Sequence, residues 1–297
     1  MPSFLSGRYP AVKVRKKLYV TPMSRCKVVA IANQKGGTGK TTTAASLGVA
    51  LAMSGKRVLL IDADPKGDLT ASLGWRNPDE LETTLATHLE AVARDEPLEP
   101  DAGILKHPEG VDLMPANIEL SGTEVALVTA MNRERTLKAW LDEAKHGYDY
   151  ALIDCMPSLG MLAVNALAAA DSVIVPVQAQ YLPAKGMTQL VKTIGRVKRQ
   201  INPHLEIEGV LLTLVDGRTN LAKQIEASLR EGYGKTLRVF GATVPLAVRA
   251  AETSAYGNSI FQHDAKSPVA AAYAKLAEEV LEDAQRKRDT HRPAVAR

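Results

Sequence analysis

Residues 28–43 read VVAIANQKGGTGKTTT. The apolar run at the start predicts a buried strand, and a helical pattern begins at the threonines. Between them lies a loop in which Gly36, Gly37 and Gly39 permit backbone angles and close approaches that a Cβ would block. A strand, a glycine-rich loop and a helix in this order are typical of a site where backbone N–H groups and the positive end of the helix bind phosphate.

The side chains of the loop predict its ligand. Lys40 supplies a cation for the β and γ phosphates of a nucleotide, and the Thr41 hydroxyl is placed to ligate Mg²⁺. A glycine-rich turn before a helix can be only a turn, but the Gly-Lys-Thr triplet favours a phosphate site. We therefore predict that ATP and Mg²⁺ bind here and that ATP is hydrolysed. The predicted ATP-binding residues of the loop are Lys35, Gly36, Gly37, Thr38, Gly39, Lys40, Thr41 and Thr42.

Acidic residues end two further apolar runs. The sequence VLLIDADPKGD, residues 58–68, ends a strand with Asp62 and Asp64. The sequence YALIDCMP, residues 150–157, does the same with Asp154. Because ligands collect at strand C-termini in open α/β sheets, we predict that Asp64 orients the attacking water and that Asp64 and Asp154 belong to the metal site. Either acid could instead cap a turn or helix, but two such acids beside a phosphate loop favour one Mg²⁺–ATP site.

Short apolar runs alternate with helical patterns along the rest of the chain, and most of these runs lack polar alternation. The predicted strands are Val28–Ala32, Val58–Ile61, Val111–Met114, Ala151–Ile153, Val173–Val177, Val210–Leu214 and Val239–Val244. The predicted helices are Thr41–Ser54, Arg133–Lys145, Met161–Ala169, Gly186–Gln200, Leu221–Glu231 and Pro268–Arg288. We predict a single α/β domain of the P-loop NTPase fold, with a mostly parallel twisted sheet and helices on both faces. Trp75–Glu109, which holds several Pro and acidic residues, is predicted to be an insertion or a mobile region.

Positive charge is concentrated at the start of the chain. The net charge is +4, but residues 1–27 contain seven basic residues and no acid. We predict a flexible basic arm at 1–24, an ATPase domain at 25–288 and a flexible tail at 289–297. The arm could contact a polyanion such as DNA, or it could be a disordered leader. No apolar run approaches the roughly 20 residues that cross a bilayer, and the two cysteines lack metal-ligand spacing, so a cytoplasmic location is expected.

The loop departs from the usual G-x-x-x-x-G-K-[ST] pattern, because Gln34 occupies the first glycine position and Lys35 precedes the glycines. This arrangement resembles the deviant P-loop ATPases of the ParA/MinD group, which includes the nitrogenase iron protein. The resemblance implies a homodimer that sandwiches two ATP molecules, with Lys35 reaching the partner's nucleotide. Residues 62–67 resemble the D-x-D-P-x-G motif of the group, whose second Asp is hydrolytic. The implied catalytic residues are Lys35, Lys40 and Asp64.

Two segments differ from that group's pattern. Lys66-Gly67-Asp68 stands where Gln-Gly-Asn is usual, and Met156 stands where Pro is common after the Asp-Cys pair. These substitutions leave the residue roles in place but bear on the hydrolysis rate. A nucleotide-binding switch with little hydrolysis is therefore an alternative.

Later segments resemble the ParA/Soj partition ATPases most. Residues 210–220, 244–252 and 257–264 are similar to that family's strand-Arg-Thr-Asn, V-P-x-x-x-R-x-x-E and G-x-x-[IV] segments. The resemblance implies a nucleoid-associated DNA segregation ATPase, released from DNA when a ParB-like centromere-binding partner stimulates hydrolysis. It also implies that Arg218 and Arg249 bind DNA without sequence preference; the alternative is that they cap helices or pair with nearby acids. Pro245 is the implied adenine contact.

Two other functions were considered. A MinD-like membrane-positioning ATPase needs a C-terminal amphipathic helix with large apolar residues, and residues 279–297 have few, so no membrane partner is predicted. An electron-transfer protein like the nitrogenase iron protein needs cluster-binding cysteines, and the positions of Cys26 and Cys155 do not fit.

Overall fold

The computed structural model describes residues 26–178, 184–216, 227, 237–247, 253 and 256–290. The predicted arm at 1–24, the predicted helix Leu221–Glu231 apart from residue 227, and both predicted DNA-binding residues, Arg218 and Arg249, lie outside the described residues.

The sheet has eight strands in the order β3-β4-β2-β5-β1-β6-β7-β8. Every neighbouring pair is parallel except β3 and β4, which are antiparallel. The strands are β1 Lys27–Ile31, β2 Val58–Ala63, β3 Leu105–Lys106, β4 Val111–Met114, β5 Tyr150–Cys155, β6 Ser172–Gln178, β7 Glu206–Val215 and β8 Val239–Pro245. β2 and β5 are buried along their whole length, as strands covered on both faces should be.

Helices cover both faces of the sheet, and each face has its own apolar cluster. The described α-helices are α1 Lys40–Met53, α2 Asp68–Ser72, α3 Leu85–Arg94, α4 Glu119–Leu127, α5 Thr136–Ala144, α6 Met161–Ala169, α7 Ala184–Gln200, α8 Ile260–His263 and α9 Pro268–Thr290. Residues of α3 to α7 line one cluster, and residues of α1, α2, α8 and α9 line the other. The predicted single α/β domain with a mostly parallel sheet is confirmed.

The region Trp75–Glu109, predicted to be an insertion or a mobile region, contains regular structure. It contains α3, whose Leu85 and Leu89 are fully buried. The helix starts with a capping box, in which the Thr84 and Thr87 side chains each bond the other residue's backbone. Helix α3 was not predicted because prolines and acidic residues on both sides obscure its short amphipathic pattern. Strand β3 and helices α2, α4 and α8 are also additions to the predicted elements.

Candidate functional site

The phosphate loop joins β1 to α1 at the C-terminal edge of the sheet. Gly37 and Gly39 have φ values of +69° and +81°, a conformation that L side chains rarely adopt. Within the described part of the chain, the amides of Gly36, Gly37 and Gly39 donate to no backbone or side-chain acceptor. The first turn of α1 contains no acid, so its positive end is not neutralised from within. The loop therefore presents several open N–H donors beside a helix N-terminus.

Asn33 fixes the start of the loop. Its Nδ2 donates to the Pro176 carbonyl on β6 at 2.6 Å, and its Oδ1 accepts the Lys35 N–H at 3.1 Å. The side chain is buried, so the bond to Pro176 is shielded from water. Asn33 is not among the predicted site residues. A polar residue between a buried strand and the glycines was the available signal.

The two loop lysines lie in different surroundings. Lys40 is 7% exposed, and its Nζ donates to the Lys35 carbonyl at 3.3 Å. Burial lowers the pKa of Lys40, and the carboxylates of Asp154 and Asp64 oppose this effect. Lys35 is exposed, and its Nζ donates to Gln178 Oε1 at 3.3 Å. Lys40 thus faces the acids, whereas the Lys35 side chain is reachable from outside.

Asp62 holds the turn that carries Asp64. Its carboxylate accepts hydrogen bonds from the Thr70 N–H at 2.8 Å, the Thr70 hydroxyl at 2.7 Å and the Asp64 N–H at 3.2 Å. Burial raises the pKa of Asp62 to about 7, although these bonds act in the opposite direction. Asp64 accepts the Lys66 N–H at 3.1 Å. Since Lys66 contributes only its backbone to this contact, the side chain that departs from the family pattern is not needed for it.

Asp154 is fully buried at the end of β5, directly opposite Asp62 on β2 and Ile31 on β1. Neither carboxylate oxygen has a hydrogen-bond partner of normal geometry among the described residues. Burial and the negative charge of Asp62 raise the pKa of Asp154 well above its usual value, whereas the Thr41 hydroxyl and the Lys40 ammonium lower it. A buried carboxylate without partners is costly unless a cation joins it.

These residues fit a magnesium ion that arrives with a nucleotide. Mg²⁺ usually keeps several waters and binds one or two carboxylates together with substrate phosphates. The unpaired oxygens of Asp154 and the neighbouring Thr41 hydroxyl provide that donor chemistry. Among the described residues no group of three His, Cys, Asp or Glu side chains could hold a metal ion by itself.

The predicted loop residues, Asp64 and Asp154 lie at one edge of the sheet, where Lys40 interacts electrostatically with both acids. Pro245 lies at the end of β8, opposite Val215 of β7, and is half-buried. Cys155 is buried, which raises the pKa of its thiol and does not suit a nucleophile.

Comparisons with known proteins agree with this geometry. A family described as an AAA domain matches residues 26–207. The chain is 43% identical over 271 residues to the "Chromosome partitioning protein ParA" of Caulobacter vibrioides strain NA1000 / CB15N, covering 91% of this chain and 98% of that protein. It is 45% identical over 261 residues to the "Chromosome-partitioning ATPase Soj" of Thermus thermophilus, covering 87% and 98%. A Mycobacterium smegmatis structure titled cobyrinic acid a,c-diamide synthase, with bound ATP analogue and magnesium, is 38% identical, with a TM-score of 0.76 and coverage of 88% and 96%.

Proposed function

The chain belongs to the ParA/Soj family of chromosome-partitioning ATPases, and from that premise we propose that it segregates DNA as an ATP-controlled switch. It is an ATPase with ATP and Mg²⁺ as its cofactors. The observation that carries the proposal is the meeting of open glycine amides, the Lys40 ammonium and the unpaired Asp154 carboxylate at one edge of the sheet.

The loop binds the triphosphate. The N–H groups of Gly36, Gly37 and Gly39, together with the N-terminus of α1, donate to phosphate oxygens. Lys40 places its ammonium against the β and γ phosphates, and its burial strengthens that attraction. Thr41 and Asp154 would hold Mg²⁺, which would neutralise the negative charge of the phosphates.

Asp64 orients the water that attacks the γ phosphate. Asp62 keeps Asp64 in place through the hydrogen bonds to the Asp64 and Thr70 amides. A carboxylate at a strand end, next to a phosphate loop, can accept a proton from water and align it for in-line attack. Lys35, whose side chain is exposed, reaches the nucleotide of a second subunit in an ATP-bound sandwich dimer.

The dimer then binds DNA without sequence preference through Arg218 and Arg249. Fixed cations on phosphates give binding that falls steeply with salt. A ParB-like partner stimulates hydrolysis, and the protein leaves the nucleoid.

A MinD-like membrane role is disfavoured because the apolar face of α9, with Val269, Tyr273 and Leu276, is buried in the core. The described residues contain no helix both long and apolar enough to span a membrane. Identity to the relatives named as partition proteins, 43–45%, exceeds the 38% to the structure named as a synthase.

Retention of the protein on random-sequence DNA tests this proposal. With ATP and Mg²⁺ we expect retention that is lost as salt rises, and that falls at least tenfold in Arg218→Ala and Arg249→Ala, on the order of the loss of one phosphate contact or more. Arg94→Ala, which removes an exposed arginine paired with Glu90 on α3, is the matched control and should bind like the wild type. If Arg218→Ala and Arg249→Ala were retained on DNA as well as Arg94→Ala is, the assignment of these two arginines as DNA contacts would be wrong. Phosphate release is measured with DNA and a ParB-like partner present. Stimulated release supports the hydrolysing switch, whereas no release supports the alternative, a protein that binds ATP with little hydrolysis.

A further inference from the structure

The phosphate loop is held at its far end by a residue from another strand. Thr213, near the end of β7, is 1% exposed, and its hydroxyl donates to the Thr38 carbonyl at 2.8 Å. Its Cβ and Cγ2 lie 3.8 Å from the position that a Cβ on Gly39 would occupy. Thr213 therefore contacts the loop through both its hydroxyl and its carbon atoms.

This hydrogen bond fixes the orientation of one peptide unit. The peptide between Thr38 and Gly39 is planar and trans, so its C=O and N–H point in opposite directions. With the carbonyl bonded to Thr213, the Gly39 N–H is directed away from β7. In a loop rich in glycine this peptide could otherwise rotate readily, because Gly39 tolerates both signs of φ.

We propose that Thr213 is a positioning residue of the ATP site, whose hydroxyl keeps the Gly39 N–H aimed at the nucleotide phosphates. The inference rests on the proposed phosphate-binding role of the loop. Thr213 lies 175 positions from Thr38 in the sequence, on β7, a strand that contains none of the predicted site residues.

The neighbouring strand holds the loop in the same way. Gln178 of β6 pairs in register with Thr213, and its side chain accepts a hydrogen bond from Lys35. Pro176, also on β6, accepts the bond from Asn33. The ends of β6 and β7 thus hold the loop by buried bonds at two points, the Asn33 side chain and the Thr38 carbonyl, while the exposed Lys35 side chain bonds Gln178.

The backbone beside Thr213 departs from regular strand geometry. Leu214 has a φ of +53°, which is unusual for a residue with a branched side chain, and the pairing of β7 with β8 changes register between Leu212 and Val215. Such conformations persist where surrounding contacts hold them. The bond from Thr213 to the loop is one contact of this kind.

The test compares two substitutions at this position. Thr213→Val removes the hydroxyl and keeps the shape, whereas Thr213→Ser keeps the hydroxyl. We expect Thr213→Val to weaken Mg-ATP and Mg-ADP binding about tenfold, the loss set by one misaligned hydrogen bond. Thr213→Ser should bind within about twofold of the wild type. Affinities are measured with a fluorescent nucleotide, at a temperature where each variant is folded by circular dichroism.

Thr123→Val is the matched control. Thr123 is equally buried, on α4, and its hydroxyl donates to Glu90 at 3.0 Å. We expect this variant to lose stability without losing nucleotide affinity. Wild-type affinity in Thr213→Val, whatever its melting temperature, would overturn the inference, as would a Ser variant as weak as the Val variant. Lys40→Ala separates failure of the Thr213 role from failure of the phosphate site. If Lys40→Ala also bound nucleotide normally, the phosphate site itself would be wrong.

Discussion

Asp62 and Asp154 lie opposite each other on the neighbouring strands β2 and β5, both fully buried, and within the described residues only Asp62 accepts hydrogen bonds of normal geometry. Burial raises the pKa of both carboxyl groups, and the negative charge of Asp62 raises that of Asp154 further. The arrangement is costly without a cation. It therefore favours the state in which Mg²⁺ and a nucleotide are bound.

Asp154→Asn is expected to stabilise the nucleotide-free protein while abolishing its activity. The cost of burying the Asp154 carboxylate exceeds its attraction to Lys40, so the substitution should raise the free energy of unfolding by roughly 1–2 kcal/mol. ATP hydrolysis should fall at least about 100-fold because a metal ligand is lost. Thermal unfolding of the nucleotide-free protein measures the change in stability, and phosphate release measures the change in ATP hydrolysis.

Asp149→Asn provides the contrast for this prediction. Asp149 directly precedes the same strand, β5, but bonds the Arg57 guanidinium at 3.1 and 3.3 Å. Because this acid has a partner, the substitution should lower stability by up to about 1 kcal/mol and leave hydrolysis unchanged. A destabilised Asp154→Asn would show that its carboxylate is already satisfied without a metal.

Substitutions of the two loop lysines are expected to impair different steps, nucleotide binding for Lys40 and dimerisation for Lys35. Lys40→Ala removes the buried ammonium from the phosphates and should weaken ATP binding by about 100-fold or more. Lys35→Ala removes an exposed side chain and should change nucleotide affinity of the isolated subunit by no more than about threefold, while preventing ATP-dependent dimerisation. Nucleotide titration and light scattering report the two steps. Equal loss of affinity in both variants would contradict the assignment of Lys35 to a partner's nucleotide.

The position of the phosphate loop and of the strand-end acids at one edge of the sheet was predictable because both follow buried parallel strands, whereas the role of each residue stays a prediction. A Gly-Lys-Thr triplet after an apolar strand has one common chemical role, and seven predicted strands occur close to their predicted bounds. Asn33 and Thr213 were not predictable in the same way, since their roles depend on carbonyls that the fold brings near them. Helix α3 was missed because surrounding prolines and acids obscure its buried leucines.

Asp64→Ala is expected to separate binding from hydrolysis. The Asp64 carboxylate bonds only the Lys66 backbone among the described residues, so its loss should leave ATP affinity within about threefold. Hydrolysis should fall at least tenfold, because the attacking water loses its orienting group, and the ATP-bound dimer should persist on DNA. Lys66→Ala is the control, since it retains the backbone N–H and should hydrolyse ATP normally. Loss of hydrolysis in Lys66→Ala alone would move the assignment from Asp64 to Lys66.

Alkaline pH is expected to destabilise the fold through Cys26, which lies before β1 at the sheet end remote from the ATP site. Burial raises the pKa of its thiol to about 12 from the ordinary value of 9. A raised pKa means that the folded state holds its proton more tightly than the unfolded state does. Stability is therefore unaffected below about pH 9 and falls as pH rises from 9 to 12, by about 1.4 kcal/mol per unit at most. Urea unfolding at pH 8, 9 and 10 should show a decline in stability, and Cys26→Ala should make that decline shallower. The Cys155 thiol, whose pKa burial also raises, and Tyr273, whose pKa burial raises to about 12, add declines of the same sign. The same shift predicts that a thiol reagent at pH 8 modifies Cys26 only after denaturation; rapid modification of the native protein would show that the thiol is not protected.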